Sequence, residues 1–477
     1  TASEAGGATH AYEQMGLHKV QSFSSGGVYL TGVGQVIHVA DFYCDDNHDI
    51  YNNKTIINLD DGGSGESTFG AATSGNNHCQ GVAMFAAGDV GARSGVAPDA
   101  DLVLSSIPDV EGSNASDDYA RDLDAARAAS AIASNQSWTY SGSNGIISGL
   151  KSTIANQGWT NAEGFAWLMN GSTSGQDLTD LNTYITALNN FENSGVMVWA
   201  AANDSSAADA SAMAGLPEFF PSLGEAWLVA NVVQYTGDSD LSNATSSEFT
   251  LRGNKCGSTK EYCLSVDGWD VYSATYVNSG TSVYNTGRIS YGSSWSAPMV
   301  SGGVALMAQA FPNHTPEQLV DRILASANNV WFTPEGNTTF ATHGNSVRHG
   351  YHSTWGHGMP DFYAALSPIT SDGNPLSMAL YMGNSIQSSK AIDLNSSFIT
   401  PSSSFGNAIS QGMIGEIGYA YDALSGGFKY DMSTRVNMTD NKAPTISLSS
   451  ELSKLDNQLE SGNNSVWKQN FSQVLST

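Results

Sequence analysis

Short apolar runs alternate with segments of helical spacing through residues 31–367, and this alternation constrains the fold more than any other feature. The runs carry almost no polar residues, which is typical of strands buried on both faces of a parallel sheet. We therefore predict an α/β fold with a central, mostly parallel sheet and helices on both faces. The predicted strands are Gln35–Ala40, Leu102–Ile107, Gly164–Asn170, Gly195–Asn203 and Ala226–Val233, and the predicted helices cover 81–88, 116–133 and 180–195.

Composition divides the chain into three parts. Residues 1–30 form a leading segment rich in Gly, Ser and Ala, and 31–367 carry the alternating pattern. Residues 368–477 are rich in Ser, Asn and Asp, with scattered apolar clusters. We expect this last part to be a small β-rich or irregular C-terminal tail or linker module.

The chain is strongly acidic, with 18 Lys and Arg against 45 Asp and Glu and a net charge of -27. Such a surface repels nucleic acids and anionic membranes, so we expect neither as a partner. No apolar run reaches the roughly 20 residues of a transmembrane helix, so we expect no membrane span. The charge favours solubility, and attraction of cationic protein substrates is a further hypothesis.

The chain has four cysteines. Cys256 and Cys263 flank the segment CGSTKEYC, a short loop that one disulfide can close. Their spacing does not fit a zinc site of paired CxxC type. The even number favours disulfides and an oxidising compartment, and buried free thiols are the alternative.

The segment GSSWSAP places Ser294 at the start of an apolar helix, with Pro298 expected in its first turn. Free backbone N–H groups and the helix dipole stabilise an anion at this position, as a serine nucleophile requires. The alternative is a serine that only caps the helix. Gly292, Ser294, Ser296 and Pro298 together resemble the nucleophile motif of subtilisin-like serine proteases.

Three further segments match that family in the same order along the chain. Asp41 follows the apolar run VIHVA, His78 opens HCQGVA, and Asn203 ends VMVWAAAN. The resemblance implies that Ser294 attacks a peptide carbonyl, that His78 transfers its proton, and that Asp41 orients His78. It assigns Asn203 to the oxyanion. The family's His-Gly-Thr-His-Val-Ala motif is incomplete, because Cys79 and Gln80 replace the Gly and Thr and Gly81 replaces the second His.

The same resemblance implies a substrate-binding wall and a cellular setting. SNQSWTYSG is similar to the strand that forms one wall of the P1 pocket, which places Ser137, Trp138 and Thr139 beside the substrate backbone and includes Ala201 and Ala202 in the P1 wall. This predicts an apolar or aromatic preference at P1, the residue before the cut. Two segments (216–233 and 254–268) resemble the passenger domains of bacterial autotransporters, and 404–432 resembles their link to an outer-membrane barrel. The implied protein is a secreted or cell-surface bacterial endopeptidase, with its barrel separate or removed.

If Asp41 and His78 meet, then Cys44 and Cys79 are brought close, and we predict a second disulfide between them; two buried free thiols are the alternative. His38 lies within a strand and is expected in the core. His48 lies in the acidic loop CDDNHDIYNN, where we expect it to be solvated or to contact a metal. That loop could bind a structural Ca²⁺ through oxygen ligands, but it lacks the EF-hand spacing, which favours a solvated loop. No cofactor is required for the chemistry.

Two other functions stay open at this point. The sedolisin type of protease uses Glu in place of His and Asp in place of Asn, and the presence of His78 and Asn203 argues against it. A catalytically weak passenger domain that acts as an adhesin or binding module would explain the departures around His78. Every chemical role nevertheless has a residue to fill it.

Overall fold

A computed structural model describes residues 11–20, 22–25, 27–42, 44, 46, 48–59, 78–90, 93–107, 115–238, 240–274, 289–342, 345–369, 377–382, 385–393 and 411–431. The chain divides into two compact units. The first contains Thr1–Asn374 with Asp422–Gly426, and the second contains Pro375–Tyr421 with Gly427–Thr477. The leading segment 1–30 therefore belongs to the same unit as 31–367.

The first unit is built on an eight-stranded sheet in the order β11-β10-β9-β8-β3-β7-β4, with β12 also paired to β10. All neighbours are parallel except β10 and β11. The strands of this sheet are β3 (Val36–Asp41), β4 (Ile56–Asn58), β7 (Asp101–Ser106), β8 (Ala133–Gln136), β9 (Val196–Ala200), β10 (Trp227–Tyr235), β11 (Phe249–Leu251) and β12 (Cys263–Asp267). This arrangement confirms the predicted α/β class.

Shorter strand pairs flank the sheet. They are β1 (Ser24–Ser25) with β2 (Val28–Tyr29), β5 (Asp89–Val90) with β6 (Arg93–Ser94), β13 (Val271–Tyr272) with β14 (Ile289–Ser290), and β15 (Gly336–Thr342) with β16 (Asn345–Tyr351). The helices are α1 (Ala11–Gln14), α2 (Leu17–Val20), α3 (His78–Ala87), α4 (Ala115–Ala128), α5 (Ile147–Gln157), α6 (Asn161–Asn170), α7 (Gly175–Glu192), α8 (Ser293–Ala310), α9 (Pro316–Ala325) and α10 (Phe362–Ala365).

Helices cover both faces of the sheet because successive strand residues point to opposite sides. Met197 and Trp199 of β9 join a buried cluster with residues of α4 and α7. On the other side, α8 packs against β8, β9, β10 and α3. Small residues let α8 approach other elements closely; at α10, a Cβ on Gly303 would lie 1.9 Å from the Phe362 ring.

One predicted strand is wrong: residues 164–170 belong to helix α6. The apolar run GFAWLMN cannot by itself distinguish a buried strand from a buried helix. The ends decide. Thr160 and Glu163 form a capping box at the start, and Gly171 ends the helix in the left-handed conformation, with φ 76°.

The second unit contains a four-stranded sheet in the order β18-β17-β19-β20. Its strands are β17 (Ser377–Met382), β18 (Ser385–Asp393), β19 (Ile417–Tyr421) and β20 (Gly427–Asp431). These strands lie in the described part of residues 368–477, and the separate tail or linker module stays a prediction. The turn between β19 and β20 belongs to the first unit, where Asp422 forms a fully buried ion pair with Arg322 at 2.7 Å.

Candidate active site

The predicted catalytic residues gather at the carboxyl ends of adjacent parallel strands. Strand β8 lies between β3 and β9, and the register pairs Ala40 with Gln136 and Gln136 with Trp199. Asp41, at the end of β3, and Ser137, which follows β8, therefore share one edge of the sheet with the residues after β9. In open α/β sheets this edge is where ligands bind.

A short hydrogen bond links two of the predicted residues. His78 opens α3, and its Nδ1 lies 2.6 Å from Asp41 Oδ1. The Asp41 side chain is fully buried, whereas the His78 side chain is 35% exposed. The same carboxylate oxygen accepts the Phe42 N–H at 2.6 Å, which holds the carboxylate in place. A carboxylate only accepts, so the His78 ring carries its proton on Nδ1 and presents an unprotonated Nε2 when neutral.

The structure contains the Cys44–Cys79 disulfide, with a Cα–Cα distance of 4.9 Å. Both sulfurs belong to fully buried residues. A backbone hydrogen bond from Cys79 N to Phe42 O, 3.3 Å long, lies beside it. The segment that follows Asp41 is thus joined to the first turn of α3 by a covalent bond and a hydrogen bond, both next to the Asp41–His78 pair. The second disulfide, Cys256–Cys263, closes the CGSTKEYC loop.

Ser294 is the second residue of α8, and Ser137 fixes it through two hydrogen bonds. Ser137 Oγ donates to Ser294 O at 3.1 Å, and Ser294 Oγ donates to Ser137 O at 3.3 Å. Pro298 explains the first bond. Pro298 lies in the second turn of α8 instead of the expected first turn. Because proline has no N–H, the carbonyl of Ser294, four residues earlier, has no partner within the helix and is free to accept from Ser137.

Asn203 is held in one orientation by Ser293, the first residue of α8. The N–H and the hydroxyl of Ser293 both donate to Asn203 Oδ1, at 2.8 and 2.9 Å. Because a backbone N–H can only donate, the atom that it faces must be the amide oxygen. The Nδ2 group then points away from Ser293, on an exposed residue. Gly292 allows this approach, since a Cβ there would lie 3.2 Å from Asn203 Nδ2.

Ala202, which precedes Asn203, has a φ of 91°, a conformation that L-residues other than glycine rarely adopt. Hydrogen bonds hold it there from both sides. Ala202 N donates to Ser293 Oγ at 3.2 Å, and Asn254 N donates to Ala202 O at 3.0 Å. Ala201 is fully buried. The backbone that carries Asn203 is therefore strained and fixed.

Trp138 has a different environment from the one expected of a substrate-binding side chain. Only 5% of it is exposed, and its Nε1–H donates to Gln136 Oε1 at 2.7 Å. Its ring packs 5.3 Å from that of Trp199 and 5.0 Å from that of Tyr119. The indole thus belongs to the core. Thr139 is partly exposed, with its hydroxyl on Tyr140 O at 3.4 Å.

Sequence reasoning missed Trp295, which connects the two halves of the site. Its ring centroid lies 5.1 Å from that of His78 and 5.7 Å from that of Phe85. Gly81, one turn after His78, makes room for it, because a Cβ there would lie 2.5 Å from the indole. Ser293 and its role at Asn203 were missed as well. The sequence offered one signal for a role of Trp295 and Ser293 in the site, because both are neighbours of Ser294 in the chain.

Two other histidines lie away from this arrangement. His38 is in the core as expected, between Ser105 and Ser134 at 2.9 Å each, and burial lowers its pKa to about 3. The expectation that His48 is solvated is wrong. It is buried, and its Nδ1 accepts the Ile50 N–H at 3.2 Å, because it caps a short helical turn.

The predicted Ca²⁺ loop lies partly outside the described residues, since Tyr43, Asp45 and Asn47 are not among them. In the part of the chain that the structure describes, no group of three or more His, Cys, Asp or Glu residues could hold a metal ion. Likewise, none of the described helices has the length and apolarity that crossing a bilayer requires.

Residues 20–358 match the Subtilase family, Peptidase_S8. This match covers most of the chain, so the protein belongs to the subtilases, a class of serine proteases. An extracellular serine protease of Serratia marcescens is 29% identical over 150 residues, which are 28% of this chain and 13% of that protein. The chain thus matches only a small part of that relative's length.

Solved structures with a related fold include three proteases. The prenylagaramide maturation protease PagA is 18% identical, with a TM-score of 0.46 and coverage of 74% of this chain and 98% of its own. MycP1, with its N-terminal propeptide removed, is 20% identical, with a TM-score of 0.44 and coverage of 76% and 98%. Fervidolysin of Fervidobacterium pennivorans, a keratinolytic enzyme related to subtilisin, is 19% identical, with a TM-score of 0.45 and coverage of 73% and 45%.

Proposed function

We propose that this subtilase is a secreted serine endopeptidase that uses Asp41, His78 and Ser294 as its catalytic triad and Asn203 as an oxyanion donor. The observation that carries the proposal is the 2.6 Å hydrogen bond from the half-exposed His78 ring to the fully buried Asp41 carboxylate. That bond fixes both the ring and its tautomer, which is what a general base beside a serine requires.

In the proposed first step, Ser294 Oγ forms a bond to the carbonyl carbon of a peptide while its proton moves to His78 Nε2. The carbonyl oxygen becomes negative. Asn203 Nδ2 and the Ser294 N–H donate to it; the latter is one of the first N–H groups of α8, which have no acceptor within the helix. His78 then gives its proton to the departing amine nitrogen as the carbon–nitrogen bond breaks.

The second half of the cycle repeats these transfers with water. A water molecule loses a proton to His78 as its oxygen attacks the acyl carbon, and the proton returns to Ser294 Oγ when the acid leaves. Asp41 stays ionised and stabilises the imidazolium that forms twice per cycle. These steps use only side chains, backbone N–H groups and water.

The Ser294 hydroxyl must turn before it can react. In this structure it donates to Ser137 O at 3.3 Å, and among the described residues no hydrogen bond joins it to His78. A serine hydroxyl changes direction by rotation about one bond, and catalytic hydrogen bonds are often long or misaligned without substrate. Trp295 directly follows Ser294, and its ring contacts the His78 ring. This contact supports a short distance between Ser294 Oγ and His78, which the rotated hydroxyl needs.

Two observations support secretion. Both cysteine pairs form disulfides, which persist mainly in oxidising compartments. The Serratia relative is named an extracellular serine protease. We further propose that the substrates are proteins or peptides and that the protein is the passenger part of a bacterial autotransporter. The resemblance of 404–432 to the segment that precedes the outer-membrane barrel supports the last point.

Digestion of casein by the wild type and by Ser294→Ala tests the activity. We expect fragments from the wild type and essentially none from the variant, with the far-UV circular dichroism of the two proteins identical. Ser296→Ala is a matched control in the same helix. The Ser296 hydroxyl donates to Val266 O at 3.3 Å within the core, away from the proposed nucleophile. An inert wild type with normal folding would favour the binding-module alternative.

A further inference from the structure

Three side chains, of which the outermost is exposed, form a stack close to the proposed nucleophile. The Tyr291 and Trp269 rings lie 4.5 Å apart, and the Arg252 guanidinium lies 4.5 Å from the Trp269 ring centroid. Tyr291 is 60% exposed, an unusual exposure for a large aromatic side chain that already has a ring partner. We call Arg252, Trp269 and Tyr291 the aromatic stack.

The aromatic stack is attached directly to the segment that carries Ser294. Tyr291 and Trp269 flank a backbone hydrogen bond from Gly292 N to Gly268 O, which is 3.0 Å long. The two segments pack so closely that a Cβ on Gly268 would lie 2.6 Å from Ser296 Oγ. The Tyr291 ring therefore has a fixed position relative to the start of α8.

Polar contacts hold the lower part of the aromatic stack. Arg252 donates to Gln234 Oε1 through both Nε, at 3.0 Å, and Nη2. Gln234 in turn donates to Asp270 Oδ2 at 3.1 Å. Since Trp269 is held between this network and Tyr291, the outer part of the Tyr291 ring is the surface that remains for a ligand.

The position of the aromatic stack indicates which part of a substrate would reach it. Ser137 contacts Ser294 from strand β8, where the substrate residues before the cut are expected. Trp269 follows β12, which pairs with β10 on the side opposite β9, so the aromatic stack and Ser137 lie on opposite sides of the residues after β9. Tyr291 lies three positions before Ser294, so their Cα atoms are at most ~11 Å apart. About three extended substrate residues cover that distance.

On the basis of the proposed function, we propose that the aromatic stack is a subsite for an aromatic side chain of the leaving peptide, within the first three residues after the scissile bond. An aromatic ring gains both apolar burial and an oriented ring contact on an exposed tyrosine. A cationic side chain is less suited, because the Arg252 guanidinium already places a positive charge on the same stack.

Paired peptides test this proposal. Each pair shares the acyl side of a strong casein cleavage site and differs only in Phe or Ala at one of the first three positions after the cut. The measured quantity is the ratio of kcat/KM for the Phe peptide to that for the Ala peptide. We expect a ratio of roughly 2 to 12 at one position in the wild type, and a ratio near 1 in Tyr291→Ala. Tyr291→Phe keeps the ring and the wild-type ratio.

Tyr29→Ala is the matched control, because Tyr29 is 65% exposed on a distant hairpin and should leave the ratio unchanged. Cleavage with a ratio near 1 in the wild type, or an unchanged ratio in Tyr291→Ala, overturns the subsite while leaving the protease intact. A Lys peptide that is preferred over Phe through Tyr291 also overturns it, in favour of a cation site. If no peptide is cleaved, the proposed function fails and the subsite fails with it.

Discussion

Removal of the Cys44–Cys79 disulfide should lower both stability and activity, whereas removal of Cys256–Cys263 should mainly lower stability. The first bond joins residues 35 apart, and the chain-entropy relation gives it about 3.8 kcal/mol. The second joins residues 7 apart and receives about 2.4 kcal/mol by the same relation. All four cysteines are fully buried, so paired alanine substitutions leave similar cavities. The difference of about 1.4 kcal/mol therefore comes from loop length.

Urea unfolding of both double variants measures this difference. We place the Cys44→Ala/Cys79→Ala and Cys256→Ala/Cys263→Ala changes in a Ser294→Ala background, which prevents self-digestion during the experiment. The free energy of unfolding should be about 1.4 kcal/mol lower for the first pair than for the second. Equal losses, or a larger loss for the second pair, would refute the loop-length reasoning.

The kinetic half of the prediction uses the same two pairs of substitutions with Ser294 intact. Only the first disulfide lies beside the Asp41–His78 hydrogen bond, so its loss lets the His78 ring shift relative to the carboxylate. Small displacements of catalytic groups are costly, and we expect kcat to fall between about 10-fold and 100-fold. The Cys256–Cys263 variant should keep kcat within about 2-fold of the wild type at a temperature where both are folded. An equal fall in kcat for the two variants would show that the first disulfide does not position His78.

Three further predictions concern single side chains. Ser293→Ala should lower kcat about 10-fold, since Asn203 Oδ1 loses one of its two donors, whereas KM should change little; a changed KM with normal kcat would argue against a positioning role. Ala202→Gly should raise the free energy of unfolding by up to about 1 kcal/mol in urea, because glycine adopts a φ of 91° without strain; a loss of stability would contradict this. Burial raises the pKa of Glu192 to about 7, so its ionisation destabilises the fold as pH rises from 4.5 through 7. Glu192→Gln should therefore be more stable than the wild type at pH 8 by about 3 kcal/mol and no more stable at pH 4, as thermal unfolding would show.

The fold class could be predicted because strands buried on both faces leave a distinct trace in the sequence. The strands 36–41, 101–106, 196–200 and 227–235 each contain a run of apolar residues, and each belongs to the central sheet. Residues 164–170 have the same apolar character and form a helix, since the capping residues outside the run decide between the two states. Apolar content alone does not carry that information.

The candidate site was predictable where a residue is tied to a strand end, and less so where contacts come from distant segments. Asp41 ends β3 and Asn203 follows β9, and the structure brings Asp41 together with His78 and Asn203 together with the start of α8. The role of Ser137 in bonding the carbonyl that Pro298 leaves free depends on a contact across 157 positions of sequence. Such a contact has no local signature.

The environment of Trp138 shows a second limit. A tryptophan beside a predicted substrate strand fits either a pocket wall or the core, and the local sequence is the same in both cases. The structure places its ring against Trp199 and Tyr119, so this large side chain fills space in the core. The predicted P1 preference, which drew on this residue, remains a prediction for substrate profiling.

The rate at which a fluorophosphonate labels Ser294 measures directly whether His78 activates this serine. The reagent reacts only with a serine whose proton is accepted by a neighbouring base, and mass spectrometry of tryptic peptides identifies the labelled residue. We expect a single adduct on Ser294, formed at least about 100-fold more slowly in His78→Ala. Labelling of Ser294 at the same rate in both proteins, or an adduct on a different serine, would contradict it.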